Sequence, residues 1–573
     1  MQEINSFLIW LDQYLGSSNA FIFLLLGTGI FFTIYLGFPQ IRYFRHAIQV
    51  VSGKYDRTGA KGDTSHFQAL STALSGTIGT GNIAGVALAI YLGGPAALFW
   101  MLVTAGLGMT TKFVEVLVSH KYREIDTDGK IAGGPMYYMK KRLNIKTGKN
   151  NQIKTGYFLG GIFAVSTIFC SFGTGNLPQI NSISDVLYES FGMHRMISGG
   201  ILALMLGLVI IGGIKRIAKV TSRLVPGMAI LYFIGAVAVL TLNYNNIIPS
   251  LISVFSNVFT GSAAAGGFLG ASVSFVIQKG VGRGLFSNEA GQGSAPIAHA
   301  TARANEPVSE GMVAILGPFI DTIIICMLTG LTILSSGVWT EKFENLFEPA
   351  DMVILDGNYS DINKKDKNIL YLYLNGKPGK NSEVKEYNDT LFISNGIVQN
   401  NVTVIHSRSV AENLTIHNNN DDSFFTGKIS CNAGMPDLES VDVYFFGKSL
   451  VHSAPLTALA FQRGLFGKHG QYIVTLGLLL FAFSTAISWS YYGDRAVTYL
   501  WGTRYVTLYR IVYVIGFFIA SFTNTTVVWS ISAITIVLMT VPNLLGILLL
   551  HREIKSEIKD YWENLKFQPT KNK

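Results

Sequence analysis

The sequence predicts an all-α membrane protein of about eleven transmembrane helices carrying a small, mostly β insert. Three observations lead there. The 573 residues are 49% hydrophobic and only 14% charged, against about 25% charged in soluble proteins. Apolar runs of about 18 to 20 residues, the length that spans hydrocarbon, recur along the chain. One polar block of 110 residues, 341–450, interrupts otherwise short connections.

The apolar runs fall at 19–38, 67–91, 95–119, 156–188, 195–214, 217–241, 263–287, 311–336, 470–492, 505–522 and 525–550. A short amphipathic stretch at 4–15 precedes the first, and a similar one at 134–143 lies in the second basic loop. Basic residues gather in alternate connections. Arg42, Arg45, Lys54, Arg57 and Lys61 lie in 39–66, nine more in 120–155, and Lys215, Arg216, Lys219 and Arg223 in a later turn. The intervening connections 92–94, 242–262 and 523–524 hold no Lys or Arg. The positive-inside rule then puts the basic loops in the cytoplasm, the N-terminus outside and the C-terminus inside, in a cell inner (plasma) membrane. The same distribution accounts for the net charge of +9 with no nucleic-acid partner. No Lys or Arg precedes Arg42, and the run at 19–38 is long for a signal core, so no cleavable signal is expected. Cys170 and Cys326 fall in apolar runs and Cys431 in the polar block, which is neither a disulfide framework nor a metal cluster.

The block 341–450 holds sixteen acidic residues against ten basic ones. Alternation through 389–407, with Asn395–Gly396 inside it, reads as a β-hairpin. It is expected to be an extracytoplasmic insert, dispensable for transport, between a first part of the transporter core at 1–340 and a second at 451–560, with 561–573 as a cytoplasmic tail.

Two runs carry signs of interruption. In the second, TALSGTIGTGNIAGVALAI (72–90), Gly76, Gly79, Gly81 and Gly85 crowd around Thr77, Thr80 and Asn82. Glycine weakens a helix by roughly 1 kcal/mol relative to Ala. Backbone groups freed at mid-membrane must line a protected site, where half-helix N-termini meet a carboxylate and carbonyls hold a cation. Close packing through small residues is the plainer reading. In the seventh run, Gly280, Gly282 and Gly284 are expected to break the helix, with Lys279, Arg283 and Glu289 on the cytoplasmic side. Two broken helices five spans apart are the mark of a five-plus-five inverted repeat.

Other polar residues stand out at membrane depth. In the ninth run, Ser484, Thr485 and Ser488 offer hydroxyls, and Trp489 follows Thr485 by one turn. Hard cations favour oxygen ligands, yet Ser and Thr also bond their own helix carbonyls. Gln179 in the fourth run would face a cavity or another helix. Asp321 in the eighth would join a cation path or pair with a hydroxyl, and Lys112 and Glu115 read as a structural pair.

SGTIGTGNIAGVALAIYLGGPAALFWM (75–101), GGPMYYM (133–139) and SNEAGQGSAPIAHA (287–300) resemble the alanine or glycine:cation symporters, the sodium:alanine symporter family. The resemblance runs through 1–340 and 451–560, and the insert departs from it. It implies a LeuT-type fold with one extra N-terminal helix. It also implies import of small neutral amino acids, alanine or glycine, coupled to sodium by alternating access across the bilayer, with no enzymatic step and no organic cofactor. By that resemblance Thr80, Gly81 and Asn82 meet the substrate carboxylate with Gln179, Thr485 approaches the amine, and Trp489 with Phe275 encloses the side chain. Sodium takes the carbonyls of Ser75, Ile78 and Phe481 and the hydroxyls of Ser484 and Thr485. An ion channel, or a receptor sensing through 341–450, are the alternatives from other classes.

Overall fold

The computed structural model describes residues 11, 18–56, 59–146, 152–304, 306–347, 349–376, 384–438, 441–523 and 525–566. The amphipathic stretch at 4–15 lies, but for residue 11, outside them. Among the described residues seven helices are long and apolar enough to cross a bilayer: Ala96–Lys121, Thr155–Phe191, Gly213–Leu242, Pro307–Ser336, Gly467–Trp501, Thr503–Ala520 and Ile531–Leu549. An eighth span is the pair His66–Thr77 and Gly81–Gly93, bent by 55° at its break. The protein is therefore a multi-pass helical membrane protein. The three remaining apolar runs form shorter helices, Asn19–Tyr35, Arg195–Ile210 and Val273–Asn288.

Local chemistry sets where these helices start and stop. Ser18 accepts the Phe21 N–H at the head of Asn19–Tyr35, and Ser65 with Gln68 forms a capping box at the head of His66–Thr77. Both satisfy N–H groups that a helix start leaves orphaned. The fourth run divides into Thr155–Gly173 and Leu177–Phe191, with Pro178 near the start of the second piece. Gly175 lies in that division because a Cβ there would stand 2.1 Å from the Trp489 side chain.

The seventh run departs from the expectation. Its helix, Val273–Asn288, passes unbroken through Gly280, Gly282 and Gly284. Gly280 and Gly284 serve close packing on Ala96–Lys121: a Cβ would come within 2.6 Å of the Ala97 carbonyl at the first and 3.0 Å of the Thr104 Cβ at the second. The chain turns later, at Glu289 (φ +54), and continues through Gly291 and Gly293, both at positive φ. Lys279 and Arg283 lie within the helix, over the rings of Phe275 and Trp529. Two π-helical segments, Gly81–Gly85 and Phe319–Cys326, pack against each other beside this helix. The stretch expected at 134–143 forms Pro135–Arg142, whose first five residues are buried.

The described residues of the insert form three small antiparallel sheets. In one, Val443–Leu450 runs between Lys342–Phe347 and Glu412–Asn418, placing buried Phe445 opposite both Phe347 and Ile416. In the second, Val402–His406 lies between Met352–Asp356 and Ser409–Val410. In the third, Thr390–Ser394 meets Ile397–Val398 across Asn395 and Gly396, both at positive φ, as a two-residue hairpin turn of this type requires. One helix, Lys364–Leu374, lies among them.

Candidate binding site at the helix breaks

The first helix piece ends at Thr77, and Ile78 is extended (ψ 92). The carbonyls around this end turn toward the middle of Gly470–Trp501. The Thr485 hydroxyl lies 3.1 Å from the Ser75 carbonyl, 3.3 Å from that of Ile78 and 3.1 Å from that of Phe481. The Ser484 hydroxyl lies 3.4 Å from the Ser75 carbonyl and 2.9 Å from that of Phe481. Each hydroxyl has one proton to donate and several acceptors in reach. Five neutral oxygens, from Ser75, Ile78, Phe481, Ser484 and Thr485, thus converge in a fully buried place. That donor set suits a hard monovalent cation, by the oxygen preference that governs calcium and magnesium. Gly79 makes the approach possible: a Cβ there would stand 2.6 Å from the Thr485 hydroxyl and 3.2 Å from Gln179 Oε1.

On the other side of the break, backbone N–H groups point at side-chain oxygens. The Thr80 N–H donates to Gln179 Oε1 at 3.4 Å, and the Gly79 N–H to Asn82 Oδ1 at 2.9 Å. Gln179 Nε2 returns to the Thr174 carbonyl at 3.0 Å, fixing the amide. The Thr80 hydroxyl is fully buried and has no hydrogen-bond partner among the described residues. Gly81 packs against Phe286.

Asn82 reaches past the break. Its Nδ2 donates to Asp321 Oδ1 at 2.6 Å, while Ser287 and Thr322 donate to Asp321 Oδ2 at 2.7 and 2.6 Å. Asp321 is thus an anchored, fully buried acid on a π segment. Lys112 is buried with three acids near it, Glu289, Asp321 and Glu115, rather than the single partner its spacing suggested. Asn543 donates to Glu115 at 2.9 Å.

Trp489 is fully buried one turn beyond Thr485, and its indole N–H is held by Glu289. Glu289, expected on the cytoplasmic side, is 2% exposed and also accepts from Ser294 at 2.6 Å. Phe275 is not brought to this group. It packs in a different cluster with Val86, Ile90 and Tyr91, and carries the Arg408 guanidinium at 4.1 Å. Ser287 and Glu289 were missed as site residues, although both lie in the SNEAGQGSAPIAHA stretch that sequence reading singled out.

The chain matches the profile of the sodium:alanine symporter family over residues 1–353 and 440–573. It is 36% identical to the sodium/alanine symporter AgcS of Methanococcus maripaludis over 94% of this chain and 93% of that protein. It is 35% identical to an uncharacterized transporter of Haemophilus influenzae over 98% of this chain and 97% of that one. A probable sodium/glutamine symporter of Bacillus subtilis is 39% identical over 59% of this chain and 67% of its own length. The helical bundle, the buried break and these matches agree: the chain belongs to the sodium:alanine symporter family, and it is a membrane transporter rather than an enzyme.

Proposed function

We propose that this protein imports small neutral amino acids, alanine or glycine, coupled to sodium by alternating access. The observation that carries the reading is the convergence of the Ser484 and Thr485 hydroxyls on the carbonyls of Ser75, Ile78 and Phe481. A sodium ion bound by those oxygens ties the first piece of the broken helix to Gly470–Trp501. The amino-acid carboxylate then meets the break at Thr80, Gly81 and Asn82, with the Gln179 amide, at the positive end of the second piece. Its amine lies toward Thr485 and its side chain toward Trp489. In this reading the fold is of the LeuT type, with eleven spans, the N-terminus and residues 341–450 outside, and the C-terminus in the cytoplasm. The membrane potential contributes about 2.3 kcal/mol per charge per 100 mV to accumulation.

Counterflow in proteoliposomes with a panel of amino acids, with and without sodium, tests it. Alanine or glycine is expected to exchange only with sodium present. Undiminished uptake in choline medium without a proton gradient overturns the coupling. Glutamine belongs in the panel, because one relative is named for it; exchange of glutamine but not alanine would reassign the substrate.

A further inference from the structure

The loop before Val273–Asn288 is shared between two cores. Phe268 and Leu269 are adjacent and both 0% exposed. Phe268 packs into the helical bundle with Val86, Ile90 and Val276. Leu269 packs into the insert with Leu355, Leu370 and Ile405. Hydrogen bonds follow the same seam. The Leu269 N–H donates to the Arg408 carbonyl at 2.8 Å. Arg408 Nη1 donates to the Gly270 carbonyl at 3.2 Å. The Ser272 N–H, at the cap position of Val273–Asn288, donates to Asn375 Oδ1 at 2.8 Å. The Arg408 guanidinium, on a residue 4% exposed, then lies over Phe275 in the first turn of the helix.

We propose that the insert is a fixed extension of the Val273–Asn288 helix, and that Arg408 and Asn375 are positioning residues for that helix. The inference rests on the transport reading above, and it replaces the expectation that the insert is dispensable. A leucine buried at 0% in the insert and an arginine stacked on an aromatic face hold the seam together with the three hydrogen bonds. The anchor therefore persists while the bundle moves. Helix Val273–Asn288 carries Ser287 and leads into Glu289, so its start, set by the insert, determines how Asp321 and Trp489 are met at its end. Lysine cannot replace Arg408, because the planar fork serves the carbonyl and the ring together.

Two measurements on the full-length purified protein decide it. In hydrogen–deuterium exchange, Arg408→Ala and the milder Asn375→Ala are expected to speed exchange in 266–276 by roughly fivefold or more, leaving Thr503–Ala520 unchanged. This readout does not depend on transport, so it survives failure of the functional reading. In proteoliposomes, Gly267→Cys with Lys342→Cys, two neighbours across the seam, in a background lacking Cys170, Cys326 and Cys431, is bridged by a short bifunctional methanethiosulfonate. Sodium-driven alanine uptake is expected to continue in the bridged protein, while Arg408→Ala raises the alanine KM at least threefold. Unchanged exchange in both variants, or arrest by the bridge that reductant relieves, overturns the proposal. Absence of uptake in the unaltered protein counts against the transport reading instead.

Discussion

The Trp489 indole N–H donates to Glu289 Oε1 at 3.0 Å, joining the long helix Gly470–Trp501 to the first residue beyond Val273–Asn288. A hydrogen bond of this kind contributes about 0.5–1.5 kcal/mol. Glu289→Ala should therefore raise the alanine KM by up to about tenfold. Glu289→Gln keeps one acceptor oxygen and should lose less. Equal losses in the two variants would separate Glu289 from the orientation of the indole.

Trp489→Ala should weaken alanine binding and improve the relative acceptance of valine and leucine. The indole is fully buried beside Gly175 and one turn from Thr485, so it forms a wall where a substrate side chain would extend. A mere packing residue of this size would cost about 3–5 kcal/mol of stability on truncation and would harm all substrates alike. Competition of labelled alanine by valine and leucine, in a well-expressed mutant, distinguishes the two. An unchanged rank order removes Trp489 from the site.

Ser484→Ala combined with Thr485→Ala should weaken sodium activation by at least about tenfold, while the protein still folds. Only two of the five converging oxygens are side-chain atoms, and removing them leaves carbonyls that no mutation can delete. Half-maximal sodium concentration for alanine uptake is the measurement. Unchanged sodium dependence places the cation elsewhere.

The tail helix His551–Lys566 docks through Glu553, which takes bonds from Lys121, Tyr122 and Arg142. Burial alone would raise its carboxyl, but those donors outweigh burial and hold it below its ordinary value. A depressed carboxyl contributes stability that is present above its unfolded value, about 4.3, and lost as pH falls through the folded one. Wild type should therefore melt above Glu553→Gln at neutral pH, and the gap should close below about pH 4. A gap that widens in acid contradicts the docking role.

Asn419 is exposed on the insert. A cysteine there, with Cys431 replaced, should react with an impermeant reagent in intact cells whose outer barrier is permeabilised. Reaction only after inner-membrane lysis reverses the proposed orientation.

The first break was legible because four glycines and Asn82 crowd one apolar run, a density that helix packing alone rarely needs. The same reasoning misplaced the second break. Gly280 and Gly284 admit a neighbouring helix, whereas the turn falls at Glu289, a non-glycine residue at positive φ that composition does not mark. The Asn395–Gly396 turn was readable because both residues tolerate positive φ. Phe275 was not, since the partner that claims its ring, Arg408, lies more than a hundred residues away in the chain. The Trp489–Glu289 bond was hidden for the same reason: each residue is ordinary in its own segment.

The paired π segments have a consequence for how such a gene can vary. A π turn holds one residue more than the α turn it replaces. Losing a single codon within Phe319–Cys326 would let the helix close into regular α geometry with both flanks still in register. The bundle would keep its outline, yet Asp321 would swing away from Asn82 and Ser287. Length polymorphism of one residue here would thus spare the outline of the bundle and break its buried polar network, the reverse of what holds in a surface loop.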